Sequence, residues 1–214
     1  ILKWGSFGDK DDQFTGPQGI TVDNDRNVLI IDNRYIKKFD TDGRFVNKWL
    51  PSKEGLINPD IHLFPDSYAF YLSPVIDSSG NIFMIHVYGG FALKNNSLAS
   101  GGYHVDIPCI VKYNSSYEVI TKWGVNGSED GQFQYPSHIS IDKLGNIFVA
   151  DTGNNRIQKF DSNGKFITQW GTEGSGVGQF YKPSGVTVDK EGNVYVMDTG
   201  NYRIQKFAPK QKED

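Results

Sequence analysis

The sequence of 214 residues contains few of the features that cross-link a protein or hold it in a membrane. Its single cysteine, Cys109, cannot form an internal disulfide, and we expect it to be a small buried hydrophobe. No apolar run approaches the roughly 20 residues of a membrane-spanning helix, so no transmembrane segment is predicted. Lys and Arg total 22 against 25 Asp and Glu, a net charge of −3. Nucleic-acid-binding surfaces are normally basic, so we expect no nucleic-acid partner.

Catalytic motifs are missing as well. The sequence has no nucleophile elbow, no phosphate-binding loop and no His-Glu-x-x-His helix. We therefore assign no catalytic residue and no cofactor, and the first hypothesis is a protein that binds a partner.

What the sequence does contain is a repeat. The stretch 145–160 recurs almost unchanged as 192–207, a shift of 47 residues. The four tryptophans fall at equivalent points of this repeat: Trp4, Trp49, Trp123 and Trp170. A fixed period of about 20 to 50 residues indicates a repeat architecture.

Each repeat predicts four short strands joined by tight turns. The first three strands are predicted at 185–188, 194–197 and 203–207, and the fourth at 165–170 after the turn signal Asn163-Gly164. The second strand of each unit is apolar on both faces, which is typical of a sheet that is covered on both sides. The sequence therefore predicts an all-β fold, a β-propeller of four-stranded antiparallel blades.

The repeat resembles the NHL repeat. The matching segments are Gly-Gln-Phe, then Asp-Thr-Gly-Asn-x-Arg-Ile-Gln-Lys-Phe, then Gly-Lys-Phe and Trp-Gly. The units are placed at about 5–49, 50–123, 124–170 and 171–207 plus 1–4, and the unit 50–123 matches only at its two ends. We predict a single propeller over 1–207, closed into a ring by its N-terminal strand, and a polar tail at 208–214. Because NHL propellers are usually six-bladed, the alternative is a fragment of a six-bladed ring.

Several charged residues recur once per unit, and we interpret them as structural. The aspartates at the first turn are expected to accept hydrogen bonds from backbone amides, and those before the second turn to pair with arginines. The first set is Asp23, Asp77, Asp142 and Asp189, and the second is Asp151 and Asp198 with Arg156 and Arg203. The alternative is a ring of carboxylates that binds calcium.

The sequence departs from the repeat at 50–73 and 86–108. These insertions are rich in aromatic residues, which favours either a partner-binding surface or a lid that packs on the ring. The predicted binding residues are Tyr68, Tyr71, Tyr88, Phe91 and Tyr103. A protein or a glycan is the expected partner.

Three histidines give a second hypothesis. Some NHL-like propellers are lyases with a histidine metal site in the channel, and the resemblance implies that His86, His104 and His138 could bind zinc. In this alternative the protein is a metal-dependent lyase or hydrolase. A third hypothesis is an RNA-binding NHL module, which the acidic balance disfavours. The near-consensus repeats also resemble those of secreted or surface proteins, so an extracellular or cell-surface location is expected.

Overall fold

A computed structural model describes residues 1–33, 35–51, 68–92 and 103–209; within these, residues 68–71, 88–92 and 103–107 are described by their backbone. The predicted fold class is confirmed, because this part of the chain is all-β and its strands form four antiparallel sheets. The chain separates into two compact units, Ile1–Ile76 with Gly80–Lys122, and Asp77–Ser79 with Trp123–Asp214.

The first sheet has the order β1-β2-β3-β4. Its strands are β1 (Pro17–Val22), β2 (Val28–Asp32), β3 (Tyr35–Phe39) and β4 (Phe45–Trp49). The turn between β1 and β2 forms because the Asp23 carboxylate accepts hydrogen bonds from the amides of Asp25 and Asn27, at 3.0 and 2.8 Å. The same arrangement at Asp40 closes the hairpin between β3 and β4.

The second sheet has the same order but longer strands. They are β5 (Tyr68–Ile76), β6 (Ile82–Ala92), β7 (Tyr103–Tyr113) and β8 (Val119–Trp123). Ile82, Met84 and Val111 of this sheet pack against Leu29, Ile31 and Ile36 of the first sheet, and together they form the core of the first unit.

The second unit repeats this plan with regular strands. The third sheet consists of β9 (Pro136–Ile141), β10 (Ile147–Asp151), β11 (Arg156–Phe160) and β12 (Phe166–Trp170). The fourth sheet consists of β13 (Pro183–Val188), β14 (Val194–Asp198) and β15 (Arg203–Phe207). In both sheets a single turn of 3₁₀-helix, Thr152–Asn154 or Thr199–Asn201, joins the second strand to the third.

The expected closing strand is corrected by the structure. Residues 1–6 form no strand, and the fourth sheet contains only β13, β14 and β15 among the described residues. The Trp4 ring packs on Phe39 of the first sheet with 6.3 Å between centroids, as Trp123 packs on Phe160 and Trp170 on Phe207. Gly43 also approaches the Trp4 ring closely.

Candidate binding surface

The regular sheets share a buried polar cluster at the end of their second strand. In the third sheet, the Asp151 carboxylate accepts hydrogen bonds from Arg156 Nε at 2.7 Å and from Gln158 Nε2 at 2.9 Å. It also accepts one from the backbone amide of Gln134 at 2.7 Å. Asp151 and Gln158 are fully buried and Arg156 nearly so. We call Asp151, Arg156 and Gln158 the polar clasp of the third sheet.

The clasp holds the loop that precedes β9. Arg156 donates through its terminal nitrogens to three backbone carbonyls, at 2.7 to 2.9 Å. Gln158 donates to the carbonyl of Gln132 at 2.7 Å and accepts from the amide of Gly131 at 2.9 Å. The carbonyls bound by Arg156 are those of Ser128, Glu129 and Gln132. Buried charges are tolerated only when they are paired and hydrogen-bonded, and here both conditions are met.

The fourth sheet carries the same clasp with Asp198, Arg203 and Gln205. Arg203 Nε lies 2.8 Å from the Asp198 carboxylate, and the side chain of Arg203 is 31% exposed where that of Arg156 is 7% exposed. Burial alone would raise the pKa of the Asp198 carboxyl. Hydrogen bonds from the Tyr181 amide and from the side chains of Asn201, Arg203 and Gln205 outweigh that effect, so the pKa lies below its usual value.

In the first sheet, one lysine amine binds both the aspartate and the preceding loop. Lys37 Nζ lies 2.9 Å from the Asp32 carboxylate, and the pair is almost completely buried. Lys37 also donates to the carbonyls of Lys10, at 3.2 Å, and Gln13. Asp32 in turn accepts from the amides of Thr15 and Gly16. A single ammonium group thus replaces the arginine and glutamine of the third and fourth sheets.

Among the described side chains of the second sheet there is no such clasp. Pairing of β6 with β7 aligns Ile82 with Tyr113 and His86 with Cys109, as pairing of β10 with β11 aligns Ile147 with Phe160 and Asp151 with Arg156. His86 therefore occupies the aspartate position, and Cys109 the arginine position. Val111 stands where the third and fourth sheets have glutamine and the first has Lys37. The three polar partners have been replaced together.

The substituted cluster is neutral. His86 Nε2 lies 3.0 Å from the hydroxyl of Tyr113, and both residues are buried. Burial lowers the pKa of His86 to about 3. Burial also raises the pKa of Cys109 to about 12, against a smaller opposing effect of Lys122. Because both shifts favour the uncharged forms, the pair is neither a thiolate nucleophile nor an imidazolium acid at neutral pH.

Beyond His86 the second sheet continues where the other sheets turn. Strands β6 and β7 have 11 residues each, against 5 for their equivalents in the third sheet. The backbone pairing runs from His86 with Cys109 to Ala92 with Tyr103 without a register shift. Six residues at about 3.3 Å each give an extension of about 20 Å. The extension comprises residues 68–71 of β5, 87–92 of β6 and 103–108 of β7.

The five predicted binding residues all lie in this extension. Tyr68 and Tyr71 belong to β5, Tyr88 and Phe91 to β6, and Tyr103 to β7. Backbone register places Tyr88 opposite Ala69, and Tyr103 opposite Ala92. Their side chains lie outside the described part of the structure, as do residues 52–67 of the other insertion. The sequence marked this region as a departure from the repeat, and its described backbone is a continued sheet. That these residues bind a partner stays a prediction.

The three histidines are placed differently. His86 is buried in the neutral cluster, and His104 pairs with Phe91 along the extension. His138 lies in β9. Burial lowers its pKa, and a hydrogen bond with the Val186 backbone opposes this shift. Its Nδ1 is buried without a hydrogen-bond partner. In the described ranges no three His, Cys, Asp or Glu side chains are grouped to hold a metal ion. Zinc or calcium binding stays a hypothesis.

The first-turn aspartates of the repeat accept hydrogen bonds from their own turns. Asp142 accepts from the amides of Leu144 and Asn146, both at 2.9 Å, and Asp189 accepts from the amide of Asn193 at 2.8 Å. Asp77 accepts from the amide of Ser79 at 2.9 Å. For Asp189 the hydrogen bond from the Asn193 side chain is the main cause of a pKa below the usual value.

The glutamine of the clasp was not singled out from the sequence, although the signal is there. Gln158 and Gln205 follow Asp151 and Asp198 at the same distance of seven residues. A polar residue that recurs inside a strand without exposure to solvent needs buried partners. The partners are backbone carbonyls of a loop, which only the folded chain brings close.

Comparison with known proteins supports the fold. Residues 109–210 match a family described as a 6-bladed beta-propeller. The human NHL repeat-containing protein 3 is 31% identical over 83 residues, which is 39% of this chain and 20% of that protein. The chain therefore spans about a fifth of the curated relatives that it first matches.

Two solved structures give the same picture. A hydrazine synthase from Kuenenia stuttgartiensis has a TM-score of 0.61 at 13% identity, over 94% of this chain and 60% of that one. A streptogramin B lyase structure has a TM-score of 0.55 at 16% identity, over 93% of this chain and 56% of that one. At such identities the likeness shows the fold alone. The six-bladed family description agrees with the alternative that these sheets are part of a larger ring. The described residues include no helix that is long and apolar enough to cross a membrane.

Proposed function

Since the chain is built from NHL-like β-propeller repeats, we propose that it is a binding scaffold whose ligand, a protein or a glycan, contacts the extension of the second sheet. The observation that carries this proposal is the continuation of β5, β6 and β7 past the point where the other sheets turn. The remaining repeat-specific polar residues have an architectural use, because they hold turns and loops.

The extension offers the backbone edge that peptide ligands use. β8 ends at Trp123, and by analogy with Trp170 opposite Ile157 it ends opposite Ile110. Residues 103–108 of β7 therefore have no neighbour on that side among the described strands. An extended peptide can add to such an edge through main-chain hydrogen bonds, while side-chain contacts give specificity. Aromatic residues on a projecting sheet add the large contact area that interfaces favour.

The test uses peptides selected on the intact chain from a random displayed library, together with a printed glycan array. We expect the triple variant Tyr68→Ala/Tyr71→Ala/Tyr88→Ala to weaken binding of the selected ligands at least about tenfold, which corresponds to about 1.4 kcal/mol. The control is the pair Tyr135→Ala and Tyr202→Ala, which removes two exposed tyrosines of the regular sheets. Unchanged binding by the triple variant, or equal loss in the control, would sink the proposed surface.

The metal-dependent lyase and the RNA-binding module receive no support from the described residues. His86, the first of the proposed metal ligands, is committed to Tyr113 inside the core. An extracellular or cell-surface setting is part of the proposal and follows from the resemblance of the repeats.

A further inference from the structure

A contact between a lysine and an aromatic ring recurs in three of the four sheets. Each lysine lies on the third strand and is aligned with an aromatic residue of the second strand. The pairs are Lys112 with Phe83, Lys159 with Phe148 and Lys206 with Tyr195, and the amine lies 4.9 to 5.4 Å from the centre of the ring. In the first sheet the same register aligns Lys38 with Leu29, which has no ring. In the third sheet, by contrast, Phe148 belongs to the core that packs against the fourth sheet.

The smaller side chain at this position borders a cavity inside the first unit. Among the described residues, a space of about 150 Å³ lies between the first and second sheets, and its apolar lining includes Leu29, Ile76 and Ile82. Leu29 and Ile82 are buried, whereas Asp25 and Ser115, which also line the cavity, are exposed. The cavity is therefore apolar at its buried end and open to solvent at its polar end.

The lining of the cavity carries charges of both signs. Lys38 Nζ lies 2.8 Å from the Asp23 carboxylate, and both side chains are largely buried. Burial alone would lower the pKa of the Lys38 amine, but the hydrogen bond to Asp23 outweighs this effect and the pKa lies above its usual value. Asp25 adds a second carboxylate to the lining. A cation in the cavity would be repelled by Lys38 and an anion by the two carboxylates, so the lining favours a neutral ligand.

A tyrosine at an unusual backbone position lines the same cavity. Tyr117 has a φ of 67° in the turn between β7 and β8, where the equivalent turns of the first and third sheets have Gly43 and Gly164. A Cβ atom added at these glycines would lie 2.8 and 2.6 Å from a tryptophan ring. At Tyr117 the corresponding Trp49 instead stacks on the tyrosine ring, with 3.7 Å between centroids and 19° between planes. The stacking fixes the tyrosine as one wall of the cavity.

We propose that this cavity binds one neutral sugar ring, either a free monosaccharide or the terminal sugar of a glycan. Two departures from the repeat, Leu29 and Tyr117, meet at the same cavity and give it space and an aromatic wall. The C–H groups of a sugar ring can pack on the aromatic wall, while Lys38 donates to sugar hydroxyls and the carboxylates accept from them. A cavity of about 150 Å³ holds a molecule as large as benzene, so one sugar ring fits through the open side. The site lies outside the extension of the second sheet and goes beyond the function proposed there.

The first experiment is an NMR titration of the intact chain with glucose, galactose, mannose, N-acetylglucosamine and their methyl glycosides. We expect at least one sugar to bind with a Kd of about 0.1 to 10 mM and to shift the amide signals of Asp25 and Tyr117 and the indole signal of Trp49. Binding of the methyl glycosides as well identifies the terminal sugar of a glycan as the ligand, and binding of the free sugars alone identifies a monosaccharide. If no sugar shifts these signals at about 50 mM, or if acetate or methylammonium does so instead, the proposal is wrong.

The second experiment removes the site in two independent ways. Leu29→Phe fills the cavity with the residue found at the same position of the second and third sheets. Tyr117→Gly removes the aromatic wall and restores the glycine of the other turns. Because each new residue already occurs at an equivalent position, both variants are expected to fold, and either one alone decides the question. We expect each to weaken sugar binding at least about tenfold.

The matched control is Tyr202→Gly. It makes the same substitution at another left-handed position, with a φ of 54°, where the side chain is 96% exposed and lies in the second unit. This variant is expected to bind sugar like the unchanged chain. Sugar binding that survives both Leu29→Phe and Tyr117→Gly would overturn the cavity as the sugar site, and it would leave the test of the extension unaffected.

Discussion

Asp151 in the third sheet and His86 in the second occupy equivalent positions but differ in their hydrogen-bond partners and in the path of the chain that follows. Asp151 gathers Arg156 and Gln158 and ties down the preceding loop, and the chain turns directly after it. His86 pairs with Tyr113 among apolar neighbours, and the strand runs on for six more residues. Replacing one member of a buried polar cluster would leave the others unpaired. In the second sheet all three positions differ from those of the third.

The largest expected effect is the loss of the buried carboxylate. Asp151→Ala leaves the guanidinium of Arg156 buried and without its partner, and we expect a loss of about 3–5 kcal/mol in the free energy of unfolding. The measurement is urea unfolding at neutral pH. The matched variant Asp198→Ala is expected to lose less, about 1–3 kcal/mol, because Arg203 is more exposed and can be hydrated. Equal losses in the two sheets would mean that burial does not set the strength of the clasp.

A smaller effect is expected when the aspartate is moved into the second sheet. His86→Asp places a carboxyl group beside Cys109 and Val111 without an arginine or glutamine, and we expect a loss of about 2–4 kcal/mol. His86→Gln is the control, since its amide can still hydrogen-bond to Tyr113. Thermal or urea unfolding measures both. If His86→Asp is as stable as the unchanged chain, the second sheet tolerates a buried carboxyl group without an arginine or glutamine partner. The proposed contrast between the second and third sheets would then be wrong.

The pH dependence of stability sharpens the same contrast. The pKa of His86 is about 3 in the folded chain, against an ordinary value of 6.5 in the unfolded chain, so below pH 6.5 the unfolded chain binds a proton that the folded chain does not. Stability therefore falls with decreasing pH, by about 2 kcal/mol between pH 7.5 and pH 5 from this residue alone.

His86→Gln should lack this component and show a flatter profile over the same range. His138 also has a lowered pKa and is present in both chains, so its contribution cancels in the difference. The paired aspartates lose their stabilising effect only at lower pH, since their pKa values are depressed below the ordinary value. Identical profiles for the two chains from pH 7.5 to pH 5 would show that His86 takes up its proton without unfolding.

The smallest effect concerns Cys109, which is expected to be chemically silent. Burial that raises its pKa to about 12 keeps the thiolate fraction low and keeps reagents out. A chromogenic disulfide reagent at pH 8 should react with the native chain only as fast as the chain opens, and at once in denaturant. Rapid reaction of the native chain would show that the core of the second sheet is open at this position.

Repetition explains how much of this could be predicted. The strand predicted at 194–197 is observed as Val194–Asp198, because two near-identical copies marked the turns on either side. The regularity also made the aspartates and arginines recognisable as a set. The loop carbonyls that Arg156 binds are 24 to 28 residues away in sequence, so their closeness to the arginine could only come from the folded chain.

The prediction was weakest where the repeat ends. Residues 86–108 have no second copy, and their glycines and aromatic residues gave an insertion without a form, whereas the structure continues β6 and β7 through Gly89 and Gly90. The N-terminal strand was expected from a count of blades. Residues 1–6 form no strand in the structure, although Trp4 packs on Phe39 as Trp123 packs on Phe160.

Residue-resolved hydrogen exchange of the native chain tests most directly whether the clasp exists to hold its loop. The amides of Gly131 and Gln134 donate to Gln158 and Asp151, and in the fourth sheet the Tyr181 amide donates to Asp198. In Asp151→Ala, the account predicts that Gly131 and Gln134 lose protection while Tyr181 keeps it. If Gly131 and Gln134 stay as protected as in the unchanged chain, the clasp does not hold the loop and the architectural account of these residues is wrong.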